Sequence, residues 1–94
     1  MDHATACGCL VHYAGRVQGV GFRATAVTIA QQFPISGYVR NLPDGRVELL
    51  AEGERDQVEA FLASVRSYWG VAIREEVTDW RSATGHYPGF RVTR

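Results

Sequence analysis

The sequence predicts an α+β fold in which an antiparallel sheet carries two helices on one face. Short apolar segments typical of strands alternate with two segments whose apolar residues recur at helical spacing, and turn residues separate them. With 94 residues the chain is long enough for one domain with its own core. We expect residues 9–94 to form this domain and residues 1–8 to be a flexible N-terminus.

The first four elements are a strand, a helix and a pair of strands. Residues 9–16 alternate partly between apolar and polar positions and predict a strand. From Phe22 onward apolar residues follow one helix face until Pro34, which cannot continue a helix. Residues 36–42 and 46–52 predict a hairpin because the Pro-Asp-Gly sequence between them favours a turn.

A second helix is expected to begin at Gly53. Glu54 and Asp56 would lie in its first turn and Arg66 in its last turn, where these charges are favourable beside the helix dipole. The buried face of this helix is predicted from apolar residues at helical spacing, which are Val58, Phe61, Leu62, Val65 and Trp69.

Two more strands complete the pattern. Residues 71–80 predict a fourth strand and residues 89–94 a short edge strand. The order βαββαβ, with a short extra strand at the C-terminal end, is that of a ferredoxin-like α/β sandwich. That fold serves many functions, so the function has to be inferred from the site.

The charge distribution favours a small anionic ligand. The formal net charge is zero, which does not favour nucleic acid or a membrane surface as a partner. All ten basic residues are arginine, and residues 3–43 contain three of them and no carboxylate. This positive first half suits a small anion better than a polyanion, although an arginine-rich composition alone could produce it. The N-terminus has no leader-like pattern and no segment has the length of a membrane span, so we expect a cytoplasmic protein.

A cysteine–histidine pattern near the N-terminus has some features of a metal site. Cys7 and Cys9 combine with His3 and His12 in the spacing H-x3-C-x-C-x2-H. Zinc sites usually space their cysteines more widely and supply a second pair of ligands well downstream, which this sequence lacks. We therefore expect no metal site in this segment.

The most distinctive segment is GRVQGVGFR, residues 15–23. Residues 19–24 match G-x-G-x-x-[GA], the dinucleotide-binding pattern, but such a fold needs a parallel sheet and an acidic residue at the end of the next strand. Here that strand ends in Arg40 and Asn41 and turns back as a hairpin. The loop also lacks the G-K-[ST] ending of a nucleotide P-loop. Neither nucleotide-binding interpretation fits.

The same loop is suited to a single phosphate-sized anion. The first backbone N–H groups of a helix have no partner within the helix, and the helix dipole favours negative charge there. Glycines remove the Cβ atoms that would hinder a close approach and allow a nest-like backbone. Arg23, in the first helical turn, can bind two oxygens at once. The alternative is a structural turn in which Arg23 forms a surface ion pair.

Asn41 is the second candidate, at the end of the second strand. In a βαβ unit the loop after the first strand and the end of the second strand lie at the same edge of the sheet, so we expect Asn41 near the glycine loop. Its side-chain amide can both donate and accept hydrogen bonds, which suits the orientation of a water molecule. Asparagine is also a common turn residue, and this second interpretation stays open.

These residues resemble the two signatures of the acylphosphatase family. Residues 15–23 match every fixed position of G-x-V-Q-G-V-x-[FM]-R, although Tyr13 stands where an aliphatic residue is expected. The second signature, G-[FYW]-[AVC]-[KRQAM]-N-x3-G-x-V-x5-G, is matched by Gly37, Tyr38, Val39, Arg40, Asn41, Gly45, Val47 and Gly53. The likeness covers residues 13–53 and loosens after the second helix, where residues 69–71 (WGV) replace the usual Gly-Pro.

The resemblance implies hydrolysis of the carboxyl-phosphate bond of small acyl phosphates without metal or cofactor. By position, Arg23 would be the catalytic arginine that binds phosphate, and Asn41 would orient the attacking water. The phosphate-binding residues would be Gln18, Gly19, Val20, Gly21, Phe22 and Arg23, the first five through their backbone. The enzyme would be a monomer, and inorganic phosphate would be its product and competitive inhibitor. The alternative is a non-catalytic anion-binding module of the same fold that acts on a protein partner.

Overall fold

The computed structural model describes residues 6–94. Within these residues it contains five strands and two α-helices, which are β1 (Ala6–Gly15), α1 (Phe22–Ala30), β2 (Ser36–Asn41), β3 (Val47–Glu54), α2 (Arg55–Trp69), β4 (Ile73–Ser82) and β5 (Phe90–Val92). A short 3-10 helix over Gly70–Ala72 joins α2 to β4. This order confirms the predicted βαββαβ arrangement and its short additional strand.

The strands form one sheet in the order β4-β1-β3-β2-β5. The four longer strands pair antiparallel, whereas β5 pairs in parallel with β2, so the sheet is mixed. The parallel pairing follows from the path of residues 83–89, which cross from one edge of the sheet to the other. On the way, the backbone N–H groups of Thr84 and Gly85 donate to the buried carboxylate of Glu52 at 2.9 Å and 3.1 Å. The chain therefore enters β5 from the end at which β2 begins.

The core lies between the two helices and one face of the sheet. On β1 the side chains of Cys9, Val11 and Tyr13 point into it and are fully buried. The predicted face of α2 is confirmed, with Val58, Phe61, Leu62 and Val65 buried and Trp69 half-buried against the core. Each fully buried side chain of this size stabilises the fold by about 1.5–3 kcal/mol. This packing holds α1, and with it the loop before α1, against the sheet.

Several element boundaries differ from the prediction, and strand pairing explains two of them. β1 begins at Ala6 rather than at residue 9, because β3 extends through Glu54 and pairs with Ala6. For the same reason Gly53 belongs to β3, and α2 begins at Arg55 with Glu54 as its N-cap and Asp56 as the acidic residue of its first turn. Residues 1–5 of the expected flexible N-terminus lie outside the described residues.

Two further boundaries differ at helix ends. α1 ends at Ala30, and residues 31–33 continue as turns before Pro34. β4 begins at Ile73 rather than at residue 71, because Val71 lies in the 3-10 helix and is 98% exposed.

The sheet face without helices carries a polar network centred on Glu48. Its carboxylate accepts hydrogen bonds from the Tyr38 hydroxyl at 2.7 Å and from Arg40 Nε at 2.9 Å, and its other oxygen lies 2.9 Å from His12 Nε2. Burial alone would raise the pKa of Glu48, but the hydrogen bonds from Tyr38, His12 and Arg40 outweigh it and lower the pKa. The network therefore keeps a buried carboxylate ionised on this face.

Successive side chains of a strand point to opposite faces of the sheet, and this separates the residues of the cysteine–histidine pattern. Cys9 is buried on the helix face of β1, where burial raises the pKa of its thiol to about 11, whereas His12 contacts Glu48 on the opposite face. His3 lies outside the described residues. Among residues 6–94, no three His, Cys, Asp or Glu side chains are grouped in a way that could hold a metal ion.

Candidate active site

Strand pairing brings the ends of β1 and β2 to the same end of the sheet. Tyr13 near the end of β1 and Asn41 at the end of β2 both pair with Val47, one on each side of β3. With neighbouring strands about 4.8 Å apart, Tyr13 and Asn41 lie about 10 Å from each other. The loop that follows β1 therefore leaves the sheet next to the end of β2, as the sequence predicts.

The loop between β1 and α1 depends on two glycines in left-handed backbone conformations. The φ angle is 75° at Gly19 and 86° at Gly21, and Gly21 is the N-cap of α1. A Cβ atom built on either glycine would meet no protein atom within 4 Å. Backbone conformation therefore favours glycine at these positions, and the space beside them is open to a ligand.

Unpaired backbone donors mark the N-terminus of α1. The first intrahelical bond is donated by Thr25 N–H to the carbonyl of Gly21, at 3.0 Å. The N–H groups of Phe22, Arg23 and Ala24 have no acceptor among residues 6–94, and no side chain caps the helix. These donors lie at the positive end of the helix dipole, where an anion is favourable.

Arg23 borders a cavity of about 230 Å³ beside these donors. The cavity is lined by Val17, Gly19, Gly21, Phe22, Arg23, Ala24 and Val92. Within the described part of the chain Arg23 forms no ion pair, so the alternative of a structural turn with Arg23 in a surface ion pair finds no support there. An uncompensated guanidinium and unpaired amides at one cavity form an anion-binding arrangement.

Phe22 fixes the start of α1 by aromatic packing. Its ring is 1% exposed and lies between Tyr13 and Trp69, with ring centroids 5.0 Å and 5.2 Å away. Such pairs add about 0.5–1.5 kcal/mol each beyond their burial. Tyr13, which departs from the aliphatic residue of the signature, supplies one of these two ring contacts, and burial raises the pKa of its phenol far above the usual range. Tyr13 is therefore a neutral packing residue behind the loop.

Asn41 does not line the cavity, and the residue that bonds to the glycine loop is its neighbour Leu42. Its side chain is half-buried, and its Oδ1 is buried with no hydrogen-bond partner among the described residues. The adjacent residue, Leu42, accepts a hydrogen bond from Gln18 Nε2 at 2.9 Å, which joins the glycine loop to the end of β2. The predicted proximity of the two segments is thus present, with Asn41 beside the junction.

Not every residue assigned to phosphate binding from the sequence lines the cavity. Gly19, Gly21, Phe22 and Arg23 do, whereas Gln18 and Val20 do not. Val92 of β5 lines it, and the sequence did not point to this residue. Its position depends on the parallel pairing of β5 with β2, and a strand of only three residues is too short for its sequence to indicate which strand it pairs with.

A family model described as Acylphosphatase matches residues 9–92 of this chain. The chain belongs to the acylphosphatase family. An acylphosphatase of Methylococcus capsulatus is 45% identical over 87 residues, which cover 86% of this chain and 89% of that protein. An acylphosphatase of Thermus thermophilus is 46% identical over 79 residues, which cover 83% of this chain and 89% of that protein.

A solved structure supports the same assignment at the level of the fold. The crystal structure of acylphosphatase from Bacillus subtilis superimposes with a TM-score of 0.85 and 28% sequence identity, and the match covers 94% of this chain and 99% of that one. The family drawn from the two signatures is therefore confirmed, and with it the assignment of this chain as a hydrolase that acts on acyl phosphates. None of the helices in residues 6–94 is both long and apolar enough to span a membrane.

Proposed function

We propose that this chain hydrolyses the carboxyl-phosphate bond of small acyl phosphates at the cavity beside the N-terminus of α1. The observation that carries the proposal is that unpaired backbone N–H groups and an unpaired guanidinium lie beside the same cavity. Three helix N–H groups lack acceptors among residues 6–94, and Arg23, which forms no ion pair within them, borders the cavity next to them. Unpaired donors of this kind favour an anion with several oxygens, such as a phosphoryl group.

The phosphoryl group is held by the backbone around Gly19 and Gly21, by the unpaired N–H groups at the start of α1 and by the guanidinium of Arg23. Hydrogen-bond donors that are already in place stabilise the charge on the transferring group without reorganising during the reaction. Glycine at residues 19 and 21 permits the backbone conformation and leaves the space for the phosphoryl oxygens.

The reaction needs a positioned water but no strong base, because the carboxylate is a good leaving group. A water oxygen attacks phosphorus in line with the acyl oxygen, a new P–O bond forms, and the bond from phosphorus to the acyl oxygen breaks with its electron pair on the carboxylate. One proton of the water stays on the new phosphate oxygen and the other passes to another oxygen of the same phosphate. The products are a carboxylate and dihydrogen phosphate, so atoms and charge balance.

Asn41 orients the attacking water. Its Oδ1 has no hydrogen-bond partner among residues 6–94, so no contact within the described residues commits this acceptor, and a side-chain amide can both accept and donate a hydrogen bond. A purely structural turn residue would use its side chain within the turn instead.

The test compares phosphate release from benzoyl phosphate by the wild type, Arg23→Ala, Asn41→Ala and the control Arg74→Ala. Arg74 is exposed on β4 and forms no ion pair within residues 6–94. We expect each of the first two variants to lose about 10²–10³ in kcat, or about 3–4 kcal/mol of transition-state stabilisation, while the control keeps its rate. Activity should persist in EDTA, inorganic phosphate should inhibit competitively, and the rate per chain should not depend on protein concentration, as for a monomer.

Two outcomes would contradict the proposal in different ways. Folded wild-type protein that binds phosphate without turnover would favour the non-catalytic anion-binding module instead. An Asn41→Ala variant with unchanged stability and a rate close to that of the wild type would refute the water-orienting role alone.

A further inference from the structure

The side chain of Gln18 joins the two halves of the proposed site. Its Nε2 group donates to the carbonyl oxygens of Leu42 and Arg46, at 2.9 Å and 2.8 Å. Both acceptors belong to the turn between β2 and β3, which is itself closed by bonds from Leu42 N–H to the carbonyl of Arg46 at 2.8 Å and from Gly45 N–H to the carbonyl of Leu42 at 3.1 Å. The Gln18 amide therefore bridges the two sides of this turn.

These bonds determine what the Gln18 side chain can do at the site. A side-chain amide nitrogen has two hydrogens, and both are directed to backbone carbonyls. The remaining polar atom, Oε1, is an acceptor and gains nothing from a phosphate oxygen. The side chain of Gln18 is thus no phosphate ligand, even though its backbone precedes the first glycine of the loop.

The bridge lies between the phosphate-binding loop and Asn41. Gln18 is directly followed by Gly19, which lines the cavity, and Leu42 directly follows Asn41. One half-buried side chain therefore connects the segment proposed to hold phosphate to the residue directly after the one proposed to orient water. Within residues 6–94 it makes the only side-chain hydrogen bonds between residues 16–23 and the turn of residues 42–46.

We propose that Gln18 is a positioning residue that sets the place of Asn41 relative to the bound phosphoryl group. The inference rests on the proposed function. In-line attack requires water, phosphorus and leaving oxygen to align, and a displacement of about 1 Å can cost about 10²-fold in rate. The backbone donors and Arg23 do not depend on the bridge, so phosphate binding persists when the bridge is lost and the chemical step slows.

The experiment measures kcat, KM and the inhibition constant of inorganic phosphate for Gln18→Met and Gln18→Glu. Methionine keeps the length of the side chain without its donors, and glutamate keeps its shape but turns an oxygen toward the two carbonyls. Gln31→Met is the matched control, because Gln31 is exposed at the end of α1, far along the helix from the loop. Thermal unfolding of each variant shows that it is folded at the assay temperature.

We expect kcat to fall by about 10–100-fold in Gln18→Met, and further in Gln18→Glu, while the inhibition constant of phosphate changes by less than about threefold. In the Asn41→Ala background, Gln18→Met should add less than about twofold, since its effect passes through Asn41. The control should match the wild type. This split between rate and product binding is not expected of a residue that only stabilises the fold.

Three results would overturn the inference. A weakening of phosphate binding in proportion to the loss of rate would mean that Gln18 acts at the phosphate itself. An unchanged kcat in folded Gln18→Met would mean that the bridge has no catalytic consequence. A full additional loss in the Asn41→Ala background would mean that Gln18 acts independently of Asn41. A wild type without turnover refutes the proposed function first, whereas an active wild type with an equally active Gln18→Met refutes this inference alone.

Discussion

Replacement of Gly19 by alanine can distinguish the effect of the loop conformation on stability from the effect of the loop on phosphate binding. The chain offers a matched control in Gly85, because both glycines have φ of 75° and a Cβ atom on either would meet no protein atom within 4 Å. Gly85 lies in the crossing segment, where its N–H donates to Glu52, a bond that alanine retains. The two substitutions therefore place alanine at the same left-handed φ angle in two parts of the fold.

The stability change should be nearly equal in the two variants. An alanine in the left-handed region costs about 1–2 kcal/mol, and the lower freedom of the unfolded chain offsets about 0.4–1 kcal/mol of that. The net destabilisation is about 1 kcal/mol, which lowers the melting temperature of a domain of this size by about 4–8 °C. Urea unfolding at constant pH measures the free-energy difference directly.

Activity should distinguish them. Gly19 lines the cavity, so its new methyl group would occupy space proposed for the phosphoryl oxygens. We expect kcat/KM for benzoyl phosphate to fall, and the inhibition constant of phosphate to rise, by at least about tenfold, equivalent to about 1.4 kcal/mol. Gly85→Ala should stay within about twofold of the wild type. The reasoning would be refuted if Gly19→Ala bound phosphate as tightly as the wild type, or if both variants lost the same factor in kcat/KM.

Two further predictions concern charge. Glu48 has a pKa lowered below 4.5, so its contribution to stability is complete above pH 4.5 and is lost as the pH falls through the folded-state pKa. Glu48→Gln should therefore lower the free energy of unfolding by about 1–3 kcal/mol at neutral pH, and equal differences at neutral and strongly acidic pH would contradict this. Val92→Asp places a carboxylate at the Arg23 cavity and should weaken phosphate binding by about tenfold. The control Val77→Asp, at a similarly exposed strand position, should leave phosphate binding unchanged. Equal weakening of phosphate binding by both variants would exclude a local effect.

Local sequence patterns were sufficient to predict which helices and strands form and in which order, and to place the candidate residues at the ends of these elements. Helical spacing identified the buried residues of α2 because the helix packs one face on a single core. The positions of Arg23 and Asn41, at the start of α1 and the end of β2, follow from where those elements begin and end. That the loop after β1 and the end of β2 lie at the same end of the sheet needed only the general topology of a βαβ unit, and the shared partner Val47 of Tyr13 and Asn41 confirms it.

The features that local patterns missed depend on pairing between distant segments. Glu54 continues β3 because Ala6 pairs with it, so α2 begins at Arg55 rather than at Gly53. Val71 is apolar but exposed, since the chain turns there before β4 begins. Val92 reaches the cavity through a pairing that only the folded sheet defines. The contacts of Gln18 likewise follow from the shape of a turn more than twenty residues away.

The donors at the start of α1 are main-chain atoms, and this has a consequence for how the site can vary among sequences. Any amino acid other than proline supplies the same N–H group, so substitutions of the side chains at these positions leave the donors in place. What selection must retain is a set of torsion angles, secured by left-handed residues at 19 and 21 and by the packing of Phe22 against Tyr13 and Trp69. In the proposed site, recognition of the phosphoryl group is thus inherited largely through backbone shape, whereas Arg23, Asn41 and the positioning residue Gln18 act through particular side chains.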